Sequence, residues 1–287
     1  MGIVYLNGQY LPAEQAKVSV LDRGFLFGDG VYEVIPAYGG RLLRLAEHLQ
    51  RLQNSLDGIR LKNPMSQQQW LEVIQTLMQE NESQDQSVYL QITRGSASYR
   101  DHSFPESIQP TVFIMVNSLH AVNVEKLKQG VCAITLDDIR WKACNIKATA
   151  LLANVMLRQQ ATEKNCAEAI LIREGIATEG AASNLFMVKN GCIITAPISS
   201  FLLPGITRDL IIELALANNM ALQERDISEN ELRNADEIWL TSSTKEIMPV
   251  IKLDNKSVGT GSYGAVWEKM IILYQDYKNS LRSGEAQ

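Results

Sequence analysis

The 287-residue sequence is poor in the residues that build metal centres and disulfide frameworks. Its four cysteines and three histidines are widely separated and form neither a C-x-x-C pair nor an H-E-x-x-H motif. We therefore expect no protein-built metal site, and we expect reduced thiols of the kind found in the cytoplasm. No apolar run approaches the roughly 20 residues that a membrane-spanning helix needs, so no membrane association is predicted.

The sequence also lacks an excess of positive charge. Its 27 Lys and Arg residues against 32 Asp and Glu give a formal net charge of -5 and a pI near 5.4. Nucleic acids and anionic lipid surfaces are bound by clustered lysine and arginine, so neither is an expected partner. With 46% hydrophobic and 21% charged residues, the composition is that of a globular protein, and small-molecule chemistry in the cytoplasm is favoured.

The length favours two domains, because a domain averages about 150 residues. Strand-like runs on either side of glycine-containing pairs predict hairpins, and leucines after position 44 recur at helical spacing. The turn pairs are Asn7-Gly8, Gly39-Gly40, Glu174-Gly175 and Asn190-Gly191, and the helical stripe is Leu45, Leu49, Leu52, Leu56 and Ile59. Further helices are predicted around 70–78, directly after Lys147, over 208–218 and over 263–281. The class is mixed α and β.

Lys147 is the first candidate for chemistry. It lies among small and apolar neighbours in A-C-N-I-K-A-T, whereas the rival Lys142 follows Arg140 and Trp141 in a more polar stretch. A lysine that reacts with a carbonyl must be the neutral amine, and its ordinary pKa of about 10.4 has to be lowered by apolar surroundings or a nearby cation. The local sequence permits this, although most lysines are solvated surface groups.

Other short motifs are ambiguous when each is taken alone. Glu179 opens T-E-G-A-A-S-N between two strand-like runs and could be a turn carboxylate. The segment L-P-G-I-T-R at 203–208 leads into a helix, whose first N–H groups could bind an anion. Gly28-Asp29-Gly30 runs into a strand rather than a helix, which excludes a dinucleotide fingerprint.

The order and spacing of N-I-K, T-E-G-x-x-S-N and L-P-G-I-T-R resemble the fold-type IV pyridoxal-phosphate enzymes. Upstream, G-D-G-V-Y-E at 28–33 and E-H-L-Q-R-L at 47–52 resemble motifs of the first domain of that family, so the resemblance covers essentially the whole chain. It implies an α+β fold with a small α/β domain at 1–119, a linker at 120–123 and a larger pseudo-barrel domain at 124–287 with the cofactor in the cleft. It also implies a homodimer.

The resemblance implies roles for named residues around pyridoxal 5'-phosphate. Lys147 carries the cofactor covalently, is displaced by the incoming amino acid and then moves the proton between substrate Cα and cofactor. Glu179 faces the pyridine nitrogen and keeps the ring protonated, so that it withdraws electrons. The phosphate is bound by Arg51, by the N–H groups of Ile206 and Thr207 and by the loop that contains Ser243 and Thr244. The resemblance places Ser183 and Asn184 near the ring, and Glu168 and His48 in contact with the residues that bind the cofactor. For these four residues, a purely structural role fits the sequence about equally well.

Within this family, the run R-D-H-S-F-P at 100–105 resembles D-amino acid aminotransferases. The resemblance implies that Tyr32, Arg100 and His102 bind the substrate carboxylate, and that the loop can reach the site of the neighbouring subunit. Four residues separate Gly95 from Arg100, one more than we expect for the family pattern. The alternative is a solvated basic loop.

The predicted activity is therefore ping-pong transfer of an amino group from D-alanine or another D-amino acid to 2-oxoglutarate. The alternatives on the same scaffold are a branched-chain L-amino acid aminotransferase and an aminodeoxychorismate lyase. An inactive protein that only binds the cofactor is the alternative from another functional class. The intact Lys147, Glu179 and Arg51 argue against it.

Overall fold

A computed structural model describes residues 2–80, 83–120 and 122–285. The chain divides into two compact units. The first consists of the residues up to His120 together with Ile146–Leu151 and the chain from Leu281 onwards, and the second contains the rest. The division expected from the sequence, 1–119 and 124–287, is contiguous. The first unit differs from it because it also includes Ile146–Leu151 and the chain from Leu281 onwards. The linker expected at 120–123 includes Ala121, which lies outside the described residues.

The first unit is built on a six-stranded sheet in the order β2-β1-β6-β5-β3-β4, in which all pairs are antiparallel. Its elements are β1 (Ile3–Leu6), β2 (Gln9–Pro12), a 3-10 helix (Ala13–Gln15), α1 (Arg23–Phe27), β3 (Gly30–Tyr38), β4 (Arg41–Leu42), α2 (Leu45–Gly58), α3 (Gln67–Gln79), β5 (Gln86–Thr93) and β6 (Thr111–Ser118). Both hairpins and both longer helices predicted for this part of the sequence are confirmed.

The core of the first unit forms where α2 and α3 cover one face of this sheet. Leu52 and Leu56 of the leucine stripe are completely buried, as is Ile74 of α3. A capping box of Ser66 and Gln69 begins α3, since each side chain bonds a backbone N–H of the other residue. The periodic leucines thus determine which face of α2 is apolar, and the neighbouring face is left for polar side chains.

The segment around Lys147 belongs to the first unit because it pairs with the edge of β3. The N–H of Tyr32 donates to the carbonyl of Lys147 at 3.0 Å, and the N–H of Thr149 donates to the carbonyl of Gly30 at 2.9 Å. A side chain at Gly30 would not fit, because its Cβ would lie 2.7 Å from the carbonyl oxygen of Ile92. These contacts place Lys147 beside the first half of β3.

The second unit is built on a ten-stranded sheet that curls into a half-barrel. Its elements are α4 (Val124–Leu127), β7 (Val131–Asp137), α5 (Leu152–Glu163), β8 (Glu168–Arg173), β9 (Ile176–Gly180), β10 (Asn184–Lys189), β11 (Cys192–Thr195), α6 (Ile206–Ala217), β12 (Leu222–Glu224), β13 (Ile227–Ser228), α7 (Glu229–Arg233), β14 (Glu237–Ser242), β15 (Glu246–Leu253), β16 (Lys256–Ser257) and α8 (Ala265–Ser283). The last residues of α8, from Leu281, group with the first unit.

The strand order in this sheet is β12-β11-β10-β14-β15-β7-β8-β9-β13, and β16 pairs with β15. The neighbouring strands β15, β7 and β8 are parallel. The hairpins β8–β9 and β10–β11 predicted from sequence are present in the same sheet. The α+β class with a barrel-like second domain is thus confirmed. In the described part of the chain, no helix is long and apolar enough to cross a membrane.

One expectation about the cysteines is wrong. Cys132 in β7 and Cys166, two residues before β8, form a disulfide with their Cα atoms 4.6 Å apart, whereas Cys144 and Cys192 are free thiols. The expectation of reduced thiols rested on the separation of the cysteines along the chain. The parallel pairing of β7 with β8 brings two of them together across 34 residues.

Candidate active site

Lys147 is held from both sides in the first unit. Its N–H donates to the hydroxyl of Ser55 at 3.1 Å, and its carbonyl accepts from the N–H of Tyr32. Its Nζ lies 4.2 Å from the centroid of the Tyr32 ring, which itself stacks on Tyr89 at 5.8 Å. The side chain is half-buried, and the backbone on both sides of the peptide is held by these hydrogen bonds.

The C-terminal end of α2 packs against the segment that contains Lys147. Gly58, the last residue of the helix, faces Ile146, and a Cβ at this position would lie 2.8 Å from the Cδ1 atom of Ile146. Ser55, one turn earlier, is buried and supplies the hydroxyl that accepts the N–H of Lys147. The position of Lys147 therefore depends on a glycine and a serine that no sequence motif singled out.

Arg51 is fixed by Glu33 of β3 in a buried, bidentate ion pair. Its Nε donates to Oε1 at 2.8 Å and one terminal nitrogen donates to Oε2 at 2.7 Å, and His48 Nδ1 lies 2.8 Å from the same Oε2 atom. Although burial raises the pKa of Glu33, Arg51 and His48 hold it well below its ordinary value. Burial in turn lowers the pKa of His48, and Arg51 and Lys147 add to that effect. Glu33 thus orients the arginine predicted to bind phosphate, a role that the sequence did not reveal.

Arg100 and His102 lie in the loop between β5 and β6, which we call the Arg100 loop (residues 96–105). The guanidinium carbon of Arg100 lies 4.9 Å from the Phe27 ring centroid, and the His102 ring lies 5.2 Å from the same ring. Both side chains are exposed. Of the predicted carboxylate-binding residues, the structure brings these two together on Phe27, and it groups Tyr32 with Lys147 and Tyr89.

Glu179 is buried at the end of β9 in the second unit. Arg140 donates to its Oε1 at 2.6 Å, and Oε2 accepts from the N–H of Leu203 and the amide of Asn184, both at 3.1 Å. Burial raises the pKa of Glu179 to about 7, even though Arg140 and the Leu203 N–H favour the carboxylate. Glu179 is therefore a shielded, oriented carboxyl group rather than a solvated turn residue.

Arg140 was missed by the sequence analysis, which placed it only in a polar stretch. Its Nε and one terminal nitrogen form a bidentate pair with Asp138, at 2.9 and 3.0 Å, while the other terminal nitrogen donates to Glu179. It also donates to the carbonyl of Phe201 at 3.2 Å. The sequence offered one sign of this role, an arginine two residues after an aspartate that follows a strand. That pattern is too common to identify a partner of Glu179 without knowledge of the fold.

The remaining candidates of the second unit gather around Asn184. Its amide also donates to the carbonyl of Leu203 at 2.8 Å, and a Cβ at Gly205 would lie 1.8 Å from its Oδ1 atom. A side chain at Gly205 would therefore displace the amide of Asn184, and Gly205 is the N-cap of α6, whose first residues are Ile206 and Thr207. The first N–H groups of a helix have no partner within the helix, and they favour an anion.

The turn between β14 and β15 completes this group. The register of β10 and β14 places Asn184 opposite Thr241, and the half-buried Ser243 and Thr244 follow in the turn. Ser183 instead donates to Glu168 at 3.3 Å. The second unit thus groups a buried carboxyl, a helix start and two hydroxyl groups.

The sequence profile of a family described as Amino-transferase class IV matches residues 30–253. A D-alanine aminotransferase from Staphylococcus epidermidis is 38% identical over 277 residues, which are 96% of this chain and 98% of the relative. A D-alanine aminotransferase from Bacillus licheniformis is 38% identical over 284 residues, 99% of each chain.

Solved structures of other aminotransferases share the fold. A branched-chain amino acid aminotransferase from Escherichia coli superposes with a TM-score of 0.89 at 28% identity, covering 100% of this chain and 96% of its own. A branched-chain aminotransferase from Thermoproteus uzoniensis, solved with norvaline, gives a TM-score of 0.84 at 27% identity, covering 96% and 94%. Fold-type IV aminotransferases bind pyridoxal 5'-phosphate. The chain therefore belongs to the class IV aminotransferase family.

Proposed function

We propose that this aminotransferase uses pyridoxal 5'-phosphate to transfer the amino group of D-alanine or another D-amino acid to 2-oxoglutarate in a ping-pong reaction. The observation that carries the choice of a D-amino acid is the pairing of Arg100 and His102 on the ring of Phe27. A guanidinium and an imidazole side by side offer several N–H donors to one carboxylate. Full-length relatives named D-alanine aminotransferase support the same choice.

The donor groups present fit the cofactor. Lys147 supplies an amine for its aldehyde, and Glu179 supplies a carboxyl for its ring nitrogen. The phosphate needs N–H and O–H donors, which we assign to Arg51, Ile206, Thr207, Ser243 and Thr244. When bound, pyridoxal phosphate supplies an electron-withdrawing ring that stabilises the charge left when the Cα–H bond breaks.

The electrostatics of Glu179 support its proposed place at the ring nitrogen. Burial raises the pKa of Glu179 to about 7, because Arg140 and the N–H of Leu203 offset it only in part and Asp138 adds to it. A protonated pyridine nitrogen adds a second cation, which lowers the pKa of a neighbouring carboxyl and is itself stabilised by the carboxylate. Glu179 would then keep the ring nitrogen protonated throughout the reaction.

Lys147 is the proposed general base. Its amine would take the proton from the Cα of the amino donor and, in the second half-reaction, would supply a proton to the Cα of the amino acid formed from 2-oxoglutarate. The anchored backbone keeps the amine at one place beside the Tyr32 ring.

The first alternative is a branched-chain L-amino acid aminotransferase, since the superposed structures are named branched-chain aminotransferases. Those proteins are 27–28% identical to this chain, against 36–38% for the D-alanine aminotransferases. An aminodeoxychorismate lyase is the other alternative. Assays with D-alanine, L-leucine and 2-oxoglutarate separate the proposals, since we expect activity with D-alanine to exceed activity with L-leucine.

Arg100→Ala should lower kcat/KM for D-alanine by about one to two orders of magnitude, because a charge-assisted contact contributes roughly 1.5–3 kcal/mol. Arg100→Lys should recover only part of the loss, since an ammonium lacks the planar fork. Steady-state kinetics with varied D-alanine and saturating 2-oxoglutarate measure both. Unchanged D-alanine kinetics in Arg100→Ala, with a wild-type preference for L-leucine, would favour the branched-chain alternative.

We also propose that the protein is a homodimer. Leu152, Val155 and Met156 lie on one side of α5 and are 73%, 60% and 51% exposed. Apolar side chains grouped on one face of a helix are typical of an interface. A cytoplasmic location, expected from the composition, stays a prediction.

The dimer proposal can be tested by adding charge to this face. Leu152→Glu combined with Val155→Glu should shift the sedimentation coefficient from dimer to monomer, because a buried interface does not tolerate unpaired carboxylates. Leu216→Glu on α6 is the matched control, since that leucine is 61% exposed. A wild-type protein that sediments as a monomer at micromolar concentration contradicts the proposal.

A further inference from the structure

Arg23, the first residue of α1, is almost completely buried although it carries a charge. Its two terminal nitrogens donate to the carbonyl oxygens of Asp101, His102 and Ser103 at 2.6, 3.2 and 3.2 Å. These are successive residues of the Arg100 loop, directly after Arg100 itself. One guanidinium therefore binds the backbone of the loop at the point where the proposed substrate-binding side chains emerge.

The backbone of Arg23 is itself fixed. Its N–H donates to the carbonyl of Gly95 at 2.8 Å, and Asp22 caps the start of α1 by accepting from the N–H of Gly24 at 2.8 Å. A Cβ at Gly24 would lie 2.2 Å from a methyl carbon of Thr93, so α1 packs closely against the end of β5. The backbone from which the Arg23 side chain extends to the loop is therefore held in place by the end of β5 and by the cap of α1.

The charge of Arg23 is balanced by Asp29, which is shared with a second arginine. Asp29 Oδ2 accepts from the Nε atoms of Arg23 and Arg94, both at 2.8 Å, and Oδ1 accepts from Arg94 at 3.0 Å. Although burial raises the pKa of Asp29, these arginines hold it below its ordinary value. Arg94 also lies over the ring of Phe104, its guanidinium carbon 3.7 Å from the centroid. The three charged residues therefore secure both the backbone and one side chain of the loop.

From this geometry we propose that Arg23 is a positioning residue for substrate specificity: it fixes the Arg100 loop so that Arg100 and His102 stay on Phe27 and face the substrate carboxylate. The inference rests on the proposed role of Arg100 and His102. Phe27 ends the same helix that Arg23 begins, and the guanidinium carbons of Arg23 and Arg100 each lie 4.9 Å from its ring centroid. One short helix thus supplies both the backbone anchor and the surface on which the two side chains rest.

Arg23→Met tests the proposal, because methionine keeps most of the apolar volume and Asp29 keeps its bidentate pair with Arg94. Arg23→Lys retains the charge beside Asp29 but cannot reach three carbonyls at once. Arg60→Met is the matched control, since the Arg60 guanidinium carbon lies 5.1 Å from the Phe104 ring and so contacts the loop through a side chain. Circular dichroism and thermal melting verify that each variant is folded.

The first readout is independent of activity. Trypsin cleaves after arginine, so the rate of cleavage at the Arg100–Asp101 bond, followed by mass spectrometry, reports the mobility of the loop. Loss of the contacts in Arg23→Met should raise that rate roughly tenfold, equivalent to about 1.4 kcal/mol. Arg23→Lys should lie between Arg23→Met and wild type, and Arg60→Met should remain near wild type. An unchanged cleavage rate in folded Arg23→Met overturns the inference.

The second readout is a double-mutant cycle. Arg23→Met should raise KM for D-alanine about tenfold with a smaller change in kcat, and this effect should disappear in an Arg100→Ala background, because Arg23 acts through Arg100. An equal effect in both backgrounds overturns the inference. If cleavage rises but Arg100→Ala leaves D-alanine kinetics intact, the anchoring stands and the proposed function fails. If Arg100→Ala is impaired while folded Arg23→Met behaves as wild type, the proposed function stands and the inference about Arg23 fails.

Discussion

Lys147→Ala should lose transamination by up to about four orders of magnitude, the upper range for removal of a general base. The same substitution also removes the amine that is proposed to carry the cofactor covalently. The variant should still bind pyridoxal phosphate, because the donors proposed for its phosphate, Arg51 and the N–H groups of Ile206 and Thr207, are unchanged. Turnover with D-alanine and retention of the cofactor on a desalting column measure the two effects separately.

Lys142→Ala is the matched control, since this lysine is exposed and lies five residues before Lys147 in the same stretch. We expect Lys142→Ala to keep wild-type turnover. Borohydride reduction followed by peptide mapping gives an independent check, because reduction makes the bond between cofactor and lysine permanent. A labelled peptide that contains modified Lys142, or near-normal turnover in Lys147→Ala, would falsify the assignment.

Glu179→Gln should lower kcat by about 10²–10³-fold, the range found when a preorganised electrostatic contact is removed from an active site. The amide is of nearly the same size, but its single oxygen can accept either from Arg140 or from the N–H of Leu203, so it keeps the shape of the side chain and only part of the hydrogen bonds. It cannot stabilise a protonated pyridine nitrogen. The loss should therefore fall on kcat and on the proton-transfer step, with cofactor binding largely retained.

The same variant also tests the electrostatics of the cofactor-free protein. The pKa of Glu179 is raised from 4.5 to about 7 by burial, so its contribution to folding is present below pH 4.5 and is lost as the pH rises through 7. The difference corresponds to about 3 kcal/mol at most. Compared with Glu179→Gln, the wild-type protein should lose relative stability over this interval in urea titrations. A parallel pH profile for both proteins, together with an unchanged kcat, would mean that Glu179 has only a structural role.

Some of the molecule could be predicted from local patterns. The leucine stripe of α2 and the glycine-containing turns of the hairpins depend on contacts within one element or between adjacent strands, so they leave a periodic signal in the sequence. Short elements such as β12, β13, β16 and α7 were not predicted, since two to five residues are too few to show a period. The start of α6 at Ile206 differed from the predicted 208 by two residues, because Gly205 rather than Arg208 begins the helix.

The sequence alone determined the chemical groups and their order along the chain: an amine at Lys147, a carboxyl at Glu179, and a guanidinium with an imidazole at Arg100 and His102. Only the tertiary structure decided which other residues hold them. Arg140 reaches Glu179 across 39 residues, and Arg23 reaches the carbonyl of His102 across 79. Such contacts depend on strand register and on the path of loops, whereas the periodic patterns of a sequence record only neighbours on the same helix or strand.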